Sequence, residues 1–338
     1  MEIGNKFIKT LKTYNIDDFK ADFLSGISVA TISLPQIMGY ALIAGLNPIY
    51  GLYTFIVSTI VATVIGASDY MVVGPTNVIA VVIASSLNNI EIVNQSNYLE
   101  VVLLLTFMVG VIQIILSSLK LGNLVNYVSH AVIVGISTGV AILIIIGQID
   151  KLLGISISSQ RNVIGTIYDI VMNLSEINYY ALGIGLISLL IIILGKKYIP
   201  WLPSYITAII FSVLLVYFFN LQDRVQIVGQ LKSTLPNFKM INFNLQLMQR
   251  LFSYSLSIAL LGFIQVLSVI KAMEKKTKQE VKLNQEFLGQ GIINIVCSFF
   301  RGFIITGSFT RTFANYEAGA KTRVSQLISG LSVLFCII

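Results

Sequence analysis

The sequence predicts an all-α polytopic membrane protein, whose chain crosses the bilayer several times. Its 338 residues are 56% hydrophobic and only 11% charged, a composition that soluble domains of this size do not show. Apolar runs of spanning length recur along the chain. Two further apolar segments are too short to cross as helices, so we expect the helical pattern to be broken twice.

The two short segments each follow a run that contains glycine or proline. Residues 70–76 precede an apolar segment at Asn77–Leu87, and residues 302–307 precede one at Ser308–Gly319. A helix of about 12 residues rises only about 18 Å, whereas the hydrocarbon core is about 30 Å thick. About six extended residues add about 20 Å. Each segment is therefore predicted to be a strand followed by a half-helix, which is typical of a transport site.

The remaining spans are predicted from apolar runs that end at turn residues or charges. Residues 1–21 form a lysine-rich lead-in without the features of a cleaved signal peptide. We place them in the cytosol and the spans in the cell membrane, taken as a bacterial plasma membrane. A surface helix is expected at Val163–Leu174, and residues 222–244 are expected to be an external loop. The full spans are predicted at 23–44, 51–67, 98–119, 123–147, 179–195, 203–220, 249–272, 287–300 and 322–338.

Several functional classes are excluded by the residues present. The net charge of +7 is dispersed between the spans, so no nucleic-acid partner is expected. The single histidine and the two separated cysteines offer no metal site or disulfide framework, and no cofactor is expected. No phosphate-binding glycine loop or nucleophile triad is present, so an enzyme is not expected. The lipid bilayer is the partner that composition implies.

Arg311 is the residue that most strongly indicates a ligand. A charge near the membrane midplane costs at least about 2.5 kcal/mol and is usually functional. Arg311 lies in the first turn of its half-helix, where the helix dipole is already positive, so a bound anion would relieve both costs. The hydroxyls of Thr76, Ser308 and Thr310 could replace water around that anion, or could simply cap helices. Arg311 could instead pair with Glu286 or Glu317, or extend to an interface.

Side-chain amides supply the other candidate binding groups. Gln36 and Tyr40 are four residues apart and share one face of the first span, next to Pro35, which interrupts the helical hydrogen bonds. Gln265 lies in the middle of a later span with Ser268 on nearly the same face. These groups could line a cavity, or could form hydrogen bonds that only hold helices together. Residue spacing does not distinguish a cavity-lining role from a role in helix packing.

Six strings, in this order along the chain, resemble the sulfate permease family of anion transporters. They are Ala21-Asp-Phe-Leu-Ser-Gly-Ile-Ser-Val-Ala30, Leu34-Pro-Gln-Ile-Met-Gly-Tyr-Ala41, Pro48-Ile-Tyr-Gly-Leu-Tyr53, Val73-Gly-Pro-Thr76, Asn284-Gln-Glu-Phe-Leu-Gly-Gln-Gly291 and Gly307-Ser-Phe-Thr-Arg-Thr312.

The resemblance implies two inverted repeats of seven spans, of which this sequence would supply about eleven. It implies a core bundle at 22–119 and 249–338 that carries the substrate against a gate bundle at 122–220. The last three spans and the cytosolic STAS domain of many relatives would be absent, so we expect a fragment or a truncated product. Relatives are often dimers, so a homodimer is implied by analogy.

The resemblance also implies where an anion is bound and which anion it is. Sulfate is the expected substrate, with bicarbonate, chloride or a dicarboxylate as alternatives. Many bacterial relatives have an acidic residue where this chain has Gln265, so symport is less expected than exchange or uncoupled flux. The implied binding residues, with Gln265 as part of the cavity wall, are Gln36, Tyr40, Thr76, Gln265, Ser308, Phe309, Thr310 and Arg311.

Two other functions remain open at this point. A nucleobase permease shares the architecture, but such proteins hold the base with carboxylates where this chain has Gln265 and residues 308–311. An anion channel or a structural membrane protein without alternating access is the other alternative.

Overall fold

The computed structural model describes residues 5–87, 97–120, 130–155, 163–199, 204–225, 227 and 235–338. Within these ranges most residues are helical, and the two strands have two residues each. A short 3-10 turn lies at Leu174–Glu176. The elements are α1 (Asn5–Thr13), α2 (Ile16–Ile43), α3 (Pro48–Ile65), β1 (Val73–Gly74), α4 (Asn77–Leu87), α5 (Tyr98–Ser118), α6 (His130–Leu153), α7 (Val163–Met172), α8 (Tyr179–Tyr198), α9 (Ser204–Phe218), α10 (Leu245–Thr277), α11 (Leu283–Phe299), β2 (Thr306–Gly307), α12 (Phe309–Glu317) and α13 (Val324–Ile337).

A helix occupies each of the eleven predicted positions, from α2 to α6 and from α8 to α13. The first residues of the spans predicted at 123–147 and 203–220 lie outside the described residues. Among the described helices, α2, α3, α5 and α10 are long and apolar enough to cross a membrane by length and composition alone. The prediction of a multi-pass helical fold with two broken segments is confirmed, and helix α7 lies where a surface helix was predicted.

Helices α2 and α10 exceed their predicted lengths the most, because polar residues extend them. Helix α2 begins at Ile16 instead of residue 23, where the Asn15 side chain accepts the N–H of Asp18. Helix α10 begins at Leu245 after a similar cap by Asn244, and it ends at Thr277, after which Lys278 has the left-handed conformation. A side-chain cap satisfies a free N–H at a helix start, so these helices continue beyond their apolar residues.

The chain forms two compact units. The first contains Met1–Ser129 and Leu231–Ile338, and the second contains His130–Gln230. In the first unit, α2 packs on α3 and α13, and α5 packs on α10 and α11. The crossing of α5 and α11 is close: a Cβ on Gly110 would lie 2.7 Å from the carbonyl oxygen of Gly291. In the second unit, α8 packs on α6 and α9.

Candidate functional site

The two broken segments meet through their strands. Strands β1 and β2 form an antiparallel pair in which Val73 faces Gly307 and Gly74 faces Thr306. Each strand leads within two residues into its half-helix, α4 or α12. The amino ends of both half-helices therefore lie next to the same strand pair. Two helix amino ends at one place attract negative charge.

The start of α12 is bonded to the residue just before β1 in the other segment. The Ser308 side chain caps α12 by accepting the N–H of Arg311 at 3.4 Å. The Ser308 N–H donates to the Val72 carbonyl at 3.0 Å, and the Val72 N–H donates to the Thr312 hydroxyl at 3.1 Å. These bonds satisfy backbone groups that extended chain would otherwise leave unpaired inside a membrane.

Arg311 is 0% exposed, and its guanidinium reaches across to the first broken segment. Its Nη2 donates to the Pro75 carbonyl at 2.6 Å, and its Cζ lies 5.4 Å from the centre of the Phe55 ring. Gly74 leaves room for this contact, since a Cβ there would lie 3.2 Å from Nη2, and its φ of +152° favours glycine. Nε and Nη1 have no hydrogen-bond partner among the described residues.

The carboxylates suggested as partners for Arg311 are engaged elsewhere. Glu286 accepts the N–H groups of Ala67 and Ser68 at 2.6 and 2.9 Å. Glu317 lies 3.7 Å from the Lys276 ammonium. No carboxylate of the described ranges forms an ion pair with Arg311, and full burial excludes extension to an interface. The guanidinium thus brings a positive charge to the strand pair, with donor groups left for a ligand.

Two other helices, α2 and α10, carry predicted residues, and Tyr40 and Gln265 among them interact with the broken segments. Tyr40 of α2 is buried and close enough to Arg311 to interact with it electrostatically. Gln36 lies one turn earlier, and its Oε1 is buried without a partner among the described residues. On the other side, the Thr76 hydroxyl donates to Oε1 of buried Gln265 at 3.5 Å. Helices α2 and α10 therefore both contribute side chains.

Two predicted residues lie on other faces of α12. The Phe309 ring stacks on Phe313 with centroids 5.4 Å apart, and it packs against an apolar cluster that includes Ile305. Thr310 is exposed, and its hydroxyl lies 3.4 Å from that of Ser308. The contacts thus connect Arg311 to Ser308 and to Pro75, and Thr76 to Gln265. Tyr40 is linked to Arg311 by an electrostatic interaction.

The structure adds three residues that sequence reasoning missed. Phe55 and Pro75 contact the guanidinium, as described above, and Asn77 begins α4 with a buried Oδ1 that has no partner among the described residues. Asn77 directly follows the Gly-Pro-Thr turn, so its position at a half-helix start was available as a signal. Phe55 gave no such signal, because it is one aromatic residue in an apolar helix. In the described ranges, no group of three or more His, Cys, Asp and Glu side chains could hold a metal ion.

Comparisons with known proteins agree on one family. The model of the sulfate permease family matches residues 19–338. A putative sulfate transporter YvdB of Bacillus subtilis is 33% identical over 98% of this chain and 62% of its own length. The chloroplastic sulfate transporter 4.1 of Arabidopsis thaliana is 30% identical over 96% of this chain and 48% of its own length. The chain thus spans about half to three fifths of these relatives.

Solved structures show the same inverted-repeat fold. The transmembrane domain of a cyanobacterial bicarbonate transporter, BicA, is 24% identical, with a TM-score of 0.75 over 96% of this chain and 83% of that domain. SLC26A9 is also 24% identical, with a TM-score of 0.77 over 98% of this chain and 56% of that protein.

Proposed function

The chain belongs to the sulfate permease family, and we propose that it is a secondary transporter of small inorganic anions, with sulfate as its main substrate. One observation carries the choice of an anion: the fully buried guanidinium of Arg311 has no carboxylate partner in the described ranges and keeps two nitrogens without hydrogen bonds. A buried charge without a partner is costly, and a bound anion removes that cost. Bicarbonate, chloride and dicarboxylates are the alternative substrates.

The anion is held between the amino ends of α4 and α12. Arg311 supplies one positive charge, and each half-helix supplies about half a charge from its dipole. Gln36, Tyr40 and Gln265 complete the wall, and Thr76 and Ser308 supply hydroxyls. We include Phe309 and Thr310 at the edge of the site, since they lie in the capped turn between Ser308 and Arg311. These residue roles are our proposal, supported by the distances given above.

Transport occurs by alternating access, in which a core bundle moves against a gate bundle. The core comprises 22–119 and 249–338, and the gate comprises 122–220. The separate compact unit at His130–Gln230 supports this division. Gln265 cannot take up a proton or neutralise a sodium ion as a carboxylate can, so we favour exchange or uncoupled flux over symport.

Uptake of radiolabelled sulfate by proteoliposomes, with and without internal anions and ion gradients, tests the proposal. We expect saturable sulfate uptake that internal sulfate accelerates, with bicarbonate, chloride and dicarboxylates as competitors. Saturable uracil uptake without anion uptake would indicate a nucleobase permease instead. Uptake that does not saturate and that internal anion does not accelerate would indicate a channel.

We also propose that the protein lies in the cell membrane as a homodimer with a cytosolic amino terminus. The lysines of the lead-in support this orientation by the positive-inside rule. In a chain whose Cys297 and Cys336 are replaced by serine, a cysteine introduced at Lys12 should react with an impermeant maleimide only after permeabilisation. Crosslinking in native membranes should yield a species of twice the monomer mass, and a monomer at every crosslinker concentration would disprove the dimer.

A further inference from the structure

One face of α11 carries three buried polar side chains, Glu286, Gln290 and Asn294, each four residues from the next. Two of them bond to backbone that leads into a strand of the central pair. Glu286 accepts the N–H groups of Ala67 and Ser68, ahead of β1. Asn294 bonds to the residue immediately before β2. Gln290, between them, has no partner for either amide atom among the described residues.

The Asn294 side chain forms hydrogen bonds with both backbone groups of Ile305, in the manner of a neighbouring β-strand. Its Oδ1 accepts the Ile305 N–H at 2.8 Å, and its Nδ2 lies 3.4 Å from the Ile305 carbonyl. The pair of β1 and β2 contains only two residues per strand, so it provides no strand partner for Ile305. An unpaired backbone group is costly away from water, and the side-chain amide removes that cost.

A bond to Gln113 of α5 reinforces the orientation of the Asn294 amide that the Ile305 backbone requires. Asn294 Nδ2 donates to Gln113 Oε1 at 2.8 Å, and both side chains are buried. A reversed amide would place two oxygens together there and would also lose the bond from the Ile305 N–H. Gly262 of α10 lies against Gln113, where a Cβ would come within 3.2 Å of the Gln113 Nε2. The Gly262 carbonyl accepts the Thr306 hydroxyl at 3.3 Å. Helices α11 and α10 thus bond Ile305 and Thr306 directly, and α5 supports the Asn294 side chain.

We propose that Asn294 is a positioning residue for the anion site and that Gln113 stabilises the orientation of its amide. Ile305 lies three residues before Ser308, whose side chain caps the turn that carries Arg311. A shift of this extended backbone moves the cap and, with it, the guanidinium. The expected effect on anion affinity rests on the proposed function, whereas the support that Asn294 gives to the Ile305 backbone does not.

The test compares Asn294→Leu and Gln113→Leu with a matched control, Gln290→Leu, in the full chain. The control lies one turn away on the same helix face, is equally buried and loses no hydrogen bond to the described residues. Two quantities are measured: hydrogen exchange of residues 302–311 without anion, and the Kd for radiolabelled sulfate. We expect faster exchange and a Kd raised about tenfold in Asn294→Leu, because it loses the bonds that hold Ile305.

Gln113→Leu should raise the Kd less, by about threefold, because Asn294 keeps its bonds to Ile305. Gln290→Leu should leave exchange and Kd unchanged. If Asn294→Leu does not fold, Asn294→Asp keeps the oxygen that accepts the Ile305 N–H, and it should accelerate exchange by a smaller factor.

Two results would overturn the inference: an unchanged Kd in a folded Asn294 variant, or an equal effect of Gln290→Leu. A lower melting temperature with an unchanged Kd would show a structural role only. If the unmodified chain binds no sulfate while Asn294→Leu still accelerates exchange, the proposed function fails and the support of the backbone stands.

Discussion

The two broken segments have matching backbones. Thr76 and Ser308 occupy equivalent positions, because the carbonyl of each accepts the first helical N–H, from Ala80 and Thr312, at 3.0 Å. Each position follows a two-residue strand, and the two strands pair with each other. The extended backbone and the dipole of the half-helix are therefore present twice.

The side chains of the two segments differ. Three residues after Thr76 and Ser308, α4 carries Ile79 and α12 carries Arg311, and both are 0% exposed. The Ser308 hydroxyl caps its own helix, whereas the Thr76 hydroxyl is directed to Gln265 of α10. The repeat thus duplicates the backbone geometry of the site, but only the second broken segment supplies a charged side chain. The predictions below test that division.

The largest expected effect is the loss of anion binding in Arg311→Ala. A hydrogen bond to a charged group contributes about 1.5–3 kcal/mol, so the Kd for sulfate should rise about tenfold or more. The matched control is Ile79→Ala, at the equivalent buried position of α4. It should lower the free energy of unfolding by about 2–5 kcal/mol through the cavity it leaves, with little change in the Kd. Equal losses of affinity would show that both half-helices contribute alike.

Gly74→Ala should have the next largest effect. Gly74 lies two residues before Thr76 with a φ of +152°, and the equivalent residue before Ser308 is Thr306 in ordinary strand conformation. A Cβ at 74 would press on Phe55 and Arg311, so we expect about 1–3 kcal/mol less stability and a weaker bound anion. Thermal unfolding with and without sulfate measures both effects.

A suitable control for this change is Gly39→Ala in α2, where a Cβ would meet nothing within 4 Å. That variant should be stabilised by about 0.5–1 kcal/mol, as expected for alanine in a helix. If Gly74→Ala is equally well tolerated, the close contact between the first segment and Arg311 is not needed.

Gln265→Glu should place an ionisable carboxyl next to Thr76 and make sulfate affinity depend on pH. A protonated carboxyl next to Thr76 is neutral and should bind an anion as the amide does. An ionised carboxylate repels the anion, so sulfate affinity should fall about fivefold as pH rises from about 5 to 8. The unmodified protein should show no such change. Flat affinity in the variant would show that Gln265 does not face the bound anion.

Much of the fold could be predicted because membrane thickness constrains segment length. The runs at 70–87 and 302–319 were too short to span, and this arithmetic was enough to predict two strand and half-helix segments. The position of Arg311 in its half-helix also followed from sequence alone. Helix ends were less predictable, because the caps at Asn15 and Asn244 act outside the apolar pattern.

Contacts between distant parts of the chain could not be predicted. The register of β1 against β2, the Pro75 carbonyl beside Arg311 and the bonds from Asn294 to Ile305 all depend on how helices pack. A strand of two residues has no detectable periodicity, and a carbonyl is present in every residue. The row of Glu286, Gln290 and Asn294 was visible as polar residues at helical spacing, but nothing in the sequence named the backbone that they would meet.

The smallest expected effects compare the two equivalent hydroxyls. Ser308→Ala removes a helix cap and should lower stability by about 1 kcal/mol, and Ser308→Thr should retain the cap and most of that stability. Thr76→Ala removes only a 3.5 Å contact with Gln265, so its cost should be below about 0.5 kcal/mol. Unfolding midpoints of the three variants, measured in one detergent, decide the order. A greater loss from Thr76→Ala than from Ser308→Ala would mean that α4 depends on its bond to α10 more than α12 depends on its cap, which reverses the division of roles between the segments.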